Sequence, residues 1–259
     1  MEQSELDNLI EKSSMGDVEA ISSLIDFYLS NHDLKRTKLE VERLRFISHP
    51  LAYRKLGYLY ASGIVFETDI PKAKEYYQKA FDLGDDMSGY NMALLLVNEK
   101  KGLEAIPYLT RGVSNNFVPS IKLLATLYLK GEVISKDLHI AHSLMKKIFD
   151  MGVPGVSSSL GKICYQMKNY DEAIKYFLIG VSNKEVDSMY YMGLCYANGI
   201  GVKQDLSKSK YYYEMGANFL EPRCLYNLSL YYRNGIEVNK NESLADTLEA
   251  QAKEHGFEK

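Results

Sequence analysis

The stretch Leu56-Gly57-Tyr58-Leu59-Tyr60-Ala61-Ser62-Gly63, followed by Asp69, Ala73 and the pair Tyr76-Tyr77, comes back downstream. It returns as Met192-Gly193-Leu194-Cys195-Tyr196-Ala197-Asn198-Gly199, then Asp205, Ser209 and Tyr212-Tyr213. Self-similarity of this length marks a helical solenoid, in which each unit buries its core against its neighbours. With the residue four before the Leu-Gly step as origin, units begin at Ala20, Ala52, Ser88, Ser120, Val156, Ser188 and Cys224, in alternating steps of 32 and 36 residues. Segment 4–15 reads as a lone helix that starts the stack, with Gly16-Asp17 as its exit turn. The expectation is an all-α single domain over 1–259, about 15 helices, one followed by seven antiparallel pairs.

The fifth residue after each origin is mostly small: Ile25, Gly57, Ala93, Ala125, Gly161, Gly193, Ser229. A second small residue recurs later in each unit, as Thr37, Ala73, Ala105, Ala141, Ala173, Ser209 and Ala245. Small side chains at both places let two helices, A and B, approach closely, so the pair predicts their crossing point. The eighth residue supplies bulk one turn later. Gly63, Gly131, Gly199 and Gly235 fall where helix A should end in a left-handed cap. Asp69, Asp137, Asp205 and Asn241 stand where helix B should start. The units at Ala20, Ser88 and Val156 have shorter A-to-B turns, such as Lys168-Asn169-Tyr170.

The long units, Ala52 to Gly84 above all, resemble Sel-one-like repeats. The short ones resemble ordinary tetratricopeptide repeats of the same superfamily, and together the resemblance covers residues 4–256. The units at Ala20, with Ile25 and Thr37, and at Ser88, with Pro107 in its second helix, depart most from the pattern. The resemblance implies a right-handed α-solenoid in which helix A lines a concave groove that holds ligands. It further implies a non-catalytic protein–protein interaction adaptor. Similar proteins act as assembly scaffolds, signalling regulators, virulence-related factors or toxin-neutralising (immunity) factors.

Composition narrows the partners. A formal charge of -3 argues against attraction to a nucleic-acid backbone. The acidic start, Met-Glu-Gln-Ser-Glu-Leu-Asp-Asn, lacks the pattern of a signal peptide, and no apolar run approaches the ~20 residues of a membrane span. A cytoplasmic location without membrane insertion is expected. Cys164, Cys195 and Cys224 lie in the first helices of three different units and read as reduced, buried thiols. The resemblance brings in secreted relatives whose cysteine pairs staple each unit, and that pairing is absent here.

Candidate chemistry is sparse. His139 and His142, three apart on a helix B, could face one metal, but further ligands are missing nearby in the sequence. Gly199-Ile200-Gly201-Val202-Lys203 lacks the strand and the Lys-Ser/Thr ending of a phosphate loop and reads as an A-to-B turn. Tyr76-Tyr77 and Tyr212-Tyr213 read as packing residues of helix B. No catalytic residue, cofactor or metal is expected. The alternative is a metal-dependent or other enzyme whose site is assembled between repeats.

The groove positions, second, sixth, ninth and tenth after each origin, carry the functional expectation. They supply Arg54, Tyr58, Tyr90, Lys122, Thr126, Lys130, Lys162, Gln166, Tyr190, Asn198, Tyr226 and Asn234, with Arg233 beside the last. Amides, aromatics and cations on a mildly acidic protein suit an extended peptide with acidic residues. The family's carboxylate clamp for chaperone tails is not reproduced, since Thr126 stands where an asparagine would be required. Asp246, Glu249, Lys253 and Glu254 make the last helix polar enough to cap the stack, so a monomer is expected.

Overall fold

A computed structural model describes residues 2–258. Among these residues there are fifteen α-helices and no strand. A leading helix α1 (Gln3–Ser14) is followed by α2 (Val18–Ser30), α3 (Leu34–Arg45), α4 (Pro50–Ser62), α5 (Ile70–Asp82), α6 (Asp86–Asn98), α7 (Gly102–Ser114) and α8 (Val118–Lys130). Then come α9 (Leu138–Asp150), α10 (Ser157–Gln166), α11 (Tyr170–Ser182), α12 (Val186–Asn198), α13 (Leu206–Ala217), α14 (Pro222–Asn234) and α15 (Glu242–Glu254). No described helix is long and apolar enough to cross a membrane.

The packing forms two compact bodies. The first runs to Leu127 and includes Gly131–Ser135; the second takes Tyr128–Lys130 and the chain from Lys136 onward. In the first, α1 packs on α2 and the pairs are α2 with α3, α4 with α5 and α6 with α7. In the second, the pairs are α10 with α11, α12 with α13 and α14 with α15.

Local signals set these boundaries as the sequence suggests. Gly63, Gly131, Gly199 and Gly235 close helices A at φ of 70, 73, 68 and 66°, the left-handed conformation glycine enters without a Cβ clash. Asp69, Asp205 and Asn241 cap the helices that directly follow, accepting from the backbone of Lys72, Lys208 and Leu244 at 2.9, 2.9 and 3.0 Å. Asp137 takes both His139 and Ile140. Each such cap is worth about 1 kcal/mol. The short turns work differently: His32, Lys100 and Lys168 sit at φ of 58, 61 and 61°. These side chains enter the left-handed region at a cost of roughly 1–2 kcal/mol each.

The crossing of A on B is where the small residues stand. A Cβ on Gly57 would lie 2.6 Å from the Tyr77 ring, and one on Gly161 or Gly193 would lie 2.5 Å from Phe177 or Tyr213. On the facing helix, Thr37, Ala73, Ala105, Ala141, Ala173, Ser209 and Ala245 are all fully buried. Ser209 Oγ donates to the Gly193 carbonyl at 2.8 Å and accepts from the Tyr231 hydroxyl at 2.8 Å. The tyrosine pairs divide their labour. Tyr77 and Tyr213 are buried, while Tyr76 and Tyr212 lie flat on Tyr60 and Tyr196, centroids 5.7 Å apart in both stacks.

A second seam joins one unit to the next, and the sequence reading did not assign it. A Cβ on Gly112, Gly180 or Gly216 would collide with Ser120, Ser188 or Cys224, the origin residues of the following units. The α7 helix runs unbroken through Pro107, whose ring nitrogen has no hydrogen for the Leu103 carbonyl. The Ser88 unit therefore keeps its register.

Gly57→Ala should destabilise the chain by about 1–2 kcal/mol in urea unfolding, because overpacking against Tyr77 outweighs the gain in helix propensity. Adding Tyr77→Leu should return part of that loss. A stabilised single variant would show that the crossing is not tightly packed.

Candidate functional site

In the first compact body, helices α2, α4, α6 and α8 carry the candidate positions. Arg54 Nη1 donates to Asp85 Oδ1 at 2.6 Å. Asp85 is itself the cap of α6, accepting from the Ser88 backbone at 2.8 Å. Next to it, Lys55 reaches Asp26 at 2.5 Å. Tyr58 is 45% and Met87 37% exposed. Together with Arg54 and Lys55 they line an open hollow of about 380 Å³. Tyr90, Lys122 and Thr126 line another of about 430 Å³ with Val118, Pro119 and Leu123. Thr126 Oγ1 turns back to the Lys122 carbonyl at 2.8 Å. The Lys122 ammonium has no ion pair or hydrogen bond among the described residues. Larger hollows lie against the 66–71 loop and on α3, away from these positions.

In the second compact body two of the candidate cations, Lys162 and Arg233, are already held by the protein's own carboxylates. Lys162 Nζ lies 2.7 Å from Asp187 Oδ2, and Arg223 takes the other oxygen of Asp187. Arg223 also reaches Glu221 at 2.6 Å and lies over the Tyr190 ring, 4.2 Å from its centroid. Arg233 donates to Asp246 and Glu249, both at 2.9 Å. Tyr226 stacks on Phe257 at 4.3 Å. Gln166 accepts from Lys136 at 3.1 Å, and Lys130 is exposed at the end of α8. The Asn198 and Asn234 amides fold back onto the Leu194 and Leu230 carbonyls at 2.9 Å, closing the ends of their own helices.

Sequence reasoning missed Arg223 and the carboxylates Asp85, Glu185, Asp187 and Glu221 that bind these groups. A usable signal was present: the residue three before an origin is Asp85, Glu185 or Glu221. The second residue of the preceding unit meets it in two cases, Arg54 on Asp85 and Ser158 on Glu185, whose Oε2 accepts from the Ser158 backbone at 2.6 Å. Within one body, then, these pairs link successive A helices.

Other chemistry-bearing groups fall outside this face. Cys164, Cys195 and Cys224 are buried free thiols. Burial pushes the Cys195 thiol up to about 12, and burial with Glu172 beside it does the same to Cys164. His139 is exposed, whereas His142, Cys164 and Glu172 bring one donor atom each within 4.8 Å of one another. Gly199 and Gly201 form the turn after α12, at φ of 68 and 67°.

Burial works to raise the Asp187 carboxyl, but hydrogen bonds from Lys162 and Arg223 outweigh it and hold the group below the usual carboxylate range. A depressed carboxyl adds stability that is complete above its unfolded pKa of about 3.9 and is lost as pH falls through the lower folded value. Asp187→Asn should therefore cost about 1 kcal/mol near neutrality, since the carboxylate is partly exposed, and the loss should shrink below about pH 4. Equal losses at pH 7 and pH 3 in urea titrations would contradict this.

A family model described as Sel1 repeat matches residues 50–85, 119–153, 160–182, 186–218 and 222–245. These fall on the units at Ala52, Ser120, Val156, Ser188 and Cys224. The match at 160–182 brings one short unit, which resembles an ordinary tetratricopeptide repeat in sequence, under the same model as the long ones. DAP3-binding cell death enhancer 1 of Rattus norvegicus is 26% identical over 195 residues, 71% of this chain and 37% of that one. The chain spans about a third of the length of the rat and mouse relatives it matches. The Sel1 repeat protein from Oxalobacter formigenes superposes with a TM-score of 0.83 at 17% identity, over 98% of this chain and 78% of that one. The c5321 protective antigen of uropathogenic Escherichia coli strains, described as an SLR fold, gives 0.79 at 18% identity, over 97% and 56%. These likenesses establish an α-solenoid fold of the Sel1 and tetratricopeptide type. With five repeats matched over more than half its length, and the A–B crossing recurring from repeat to repeat, the chain belongs to the Sel1 repeat family.

Proposed function

We propose that the chain is a non-catalytic scaffold that binds an extended segment of another protein along the A helices, with Tyr58 and Met87 taking an apolar side chain and Lys122 an acidic one. Sel1 repeats generally mediate protein–protein interaction, and their fold is a typical non-enzymatic scaffold. The rat relative is named for binding a protein, DAP3, the same kind of partner. The observation that carries the reading is the contrast among cations. Arg54, Lys162 and Arg233 neutralise carboxylates of the chain, while Lys122 lies open in a hollow beside Tyr90. A ligand carboxylate meeting Lys122 displaces no internal partner. The remaining candidate positions shape and stiffen the face.

The unbroken register from Ala20 to Cys224 supports treating the chain as one domain, and exposed Asp246, Lys253 and Glu254 on α15 support a monomer. Reduced, buried thiols suit a cytoplasmic setting. Regulation, virulence and toxin neutralisation are the roles this binding step would serve.

Affinity capture with wild type, a Tyr58→Ala/Lys122→Glu double variant and an exposed α11 control, Lys175→Glu, tests the assignment. Partners retained by wild type and the control should be lost by the double variant. Identical partner sets for all three would remove the A-helix face from consideration.

A further inference from the structure

We propose that His142, Cys164 and Glu172 form a site for a thiophilic divalent cation, zinc by its ligand preferences, that clips two successive repeats together. The three residues lie on α9, α10 and α11, so the site joins helix B of one repeat to both helices of the next. Their donor atoms lie within 4.8 Å of one another, and His142 Nε2 stands 3.8 Å from Glu172 Oε1. A tetrahedral zinc site with sulfur at about 2.3 Å and nitrogen or oxygen at about 2.0–2.2 Å has ligand–ligand edges of roughly 3.3–3.8 Å. The cluster reaches that size by closing about 1 Å on its longest edge. A mixed nitrogen, sulfur and oxygen set favours zinc over magnesium or calcium, which take oxygen.

The sequence register shows how unusual this corner is. Cys164 is the eighth residue after its origin, and Glu172 directly precedes the small residue of helix B. In the repeats at Ala52 and Ser188 those two places hold Tyr60 with Lys72 and Tyr196 with Lys208. There the ammonium lies over the ring, 4.4 and 5.2 Å from the centroid. Here a thiol and a carboxylate replace the ring and the ammonium, and the preceding helix adds an imidazole.

The imidazole is an independent pointer. Its Nε2 is buried and has no hydrogen-bond partner among the described residues, an unfavourable state for a polar group. A metal would take up that lone pair. Asn169 donates to Glu172 Oε2 at 2.7 Å, orienting the carboxylate so that Oε1 faces His142. Coordination replaces the Cys164 S–H bond with a sulfur–metal bond and releases the proton to solvent. Three protein ligands leave a fourth position for water, reached past the partly exposed edges of His142 and Glu172.

Titration of the full chain with Co²⁺ tests the site. One equivalent should produce a thiolate-to-cobalt charge-transfer band, and Zn²⁺ should bleach it. Cys164→Ser should abolish the band and Cys195→Ser should keep it. His142→Gln and Glu172→Gln, at partly exposed positions that leave the core intact, should each weaken Co²⁺ affinity by about tenfold or more. His139→Ala should leave affinity unchanged. Circular dichroism on each variant reports folding. Wild type without a sulfur band, a band that survives Cys164→Ser, or affinity that depends on His139 in place of His142 would each overturn the proposal.

Discussion

An aromatic ring pressed against a helix backbone sets the spacing on which the rest depends. Gly57, Gly161 and Gly193 admit the rings of Tyr77, Phe177 and Tyr213, and any side chain there would push helix B outward. Because that approach is close, one ring fills each such crossing and the second tyrosine of the Tyr76-Tyr77 and Tyr212-Tyr213 pairs stacks beside it. Tyr60 and Tyr76 then meet face to face, and the exposed side of helix A is left to a mixture of polar groups with Tyr58 and Met87. The repeat is thus a steric device first, and its chemistry is confined to positions the crossing does not use.

The crossing was legible in the sequence because it repeats. Small residues at fixed intervals, glycine at helix ends and Asp or Asn at helix starts each reflect a local requirement that a short window displays. The left-handed turns at His32, Lys100 and Lys168 were not legible, since these side chains carry no such preference and the conformation is held by backbone bonds that close the preceding helix, such as Asp33 N–H to the Tyr28 carbonyl at 2.8 Å. Nor was the seam of Gly112, Gly180 and Gly216 on the following origins, because each glycine lies inside a helix B, where the local sequence does not show what the backbone meets.

The polar face was legible in composition but not in pairing. Arg54 finds Asp85 and Lys162 finds Asp187 some two dozen or more residues away, and no local pattern ties them. The register offers a reason after the fact. Arg54 and Ser158, both second residues of their units, meet a carboxylate three before the next origin. Lys122 occupies the same place, yet the matching residue is Val153, which has no charge to offer. The open cation is a gap in a repeated motif, visible once the motif is known. The same holds for Cys164 and Glu172, which stand where other repeats keep a tyrosine and a lysine.

The three cysteines carry a consequence of a different sort. Cys164, Cys195 and Cys224 are buried in the A helices of three successive repeats. A repeat array opens by separating neighbours, so a thiol reagent reaches each sulfur only when its own repeat loosens. The chain therefore carries an internal clock: the order in which the three thiols react records the order in which its C-terminal repeats come apart, with no label added.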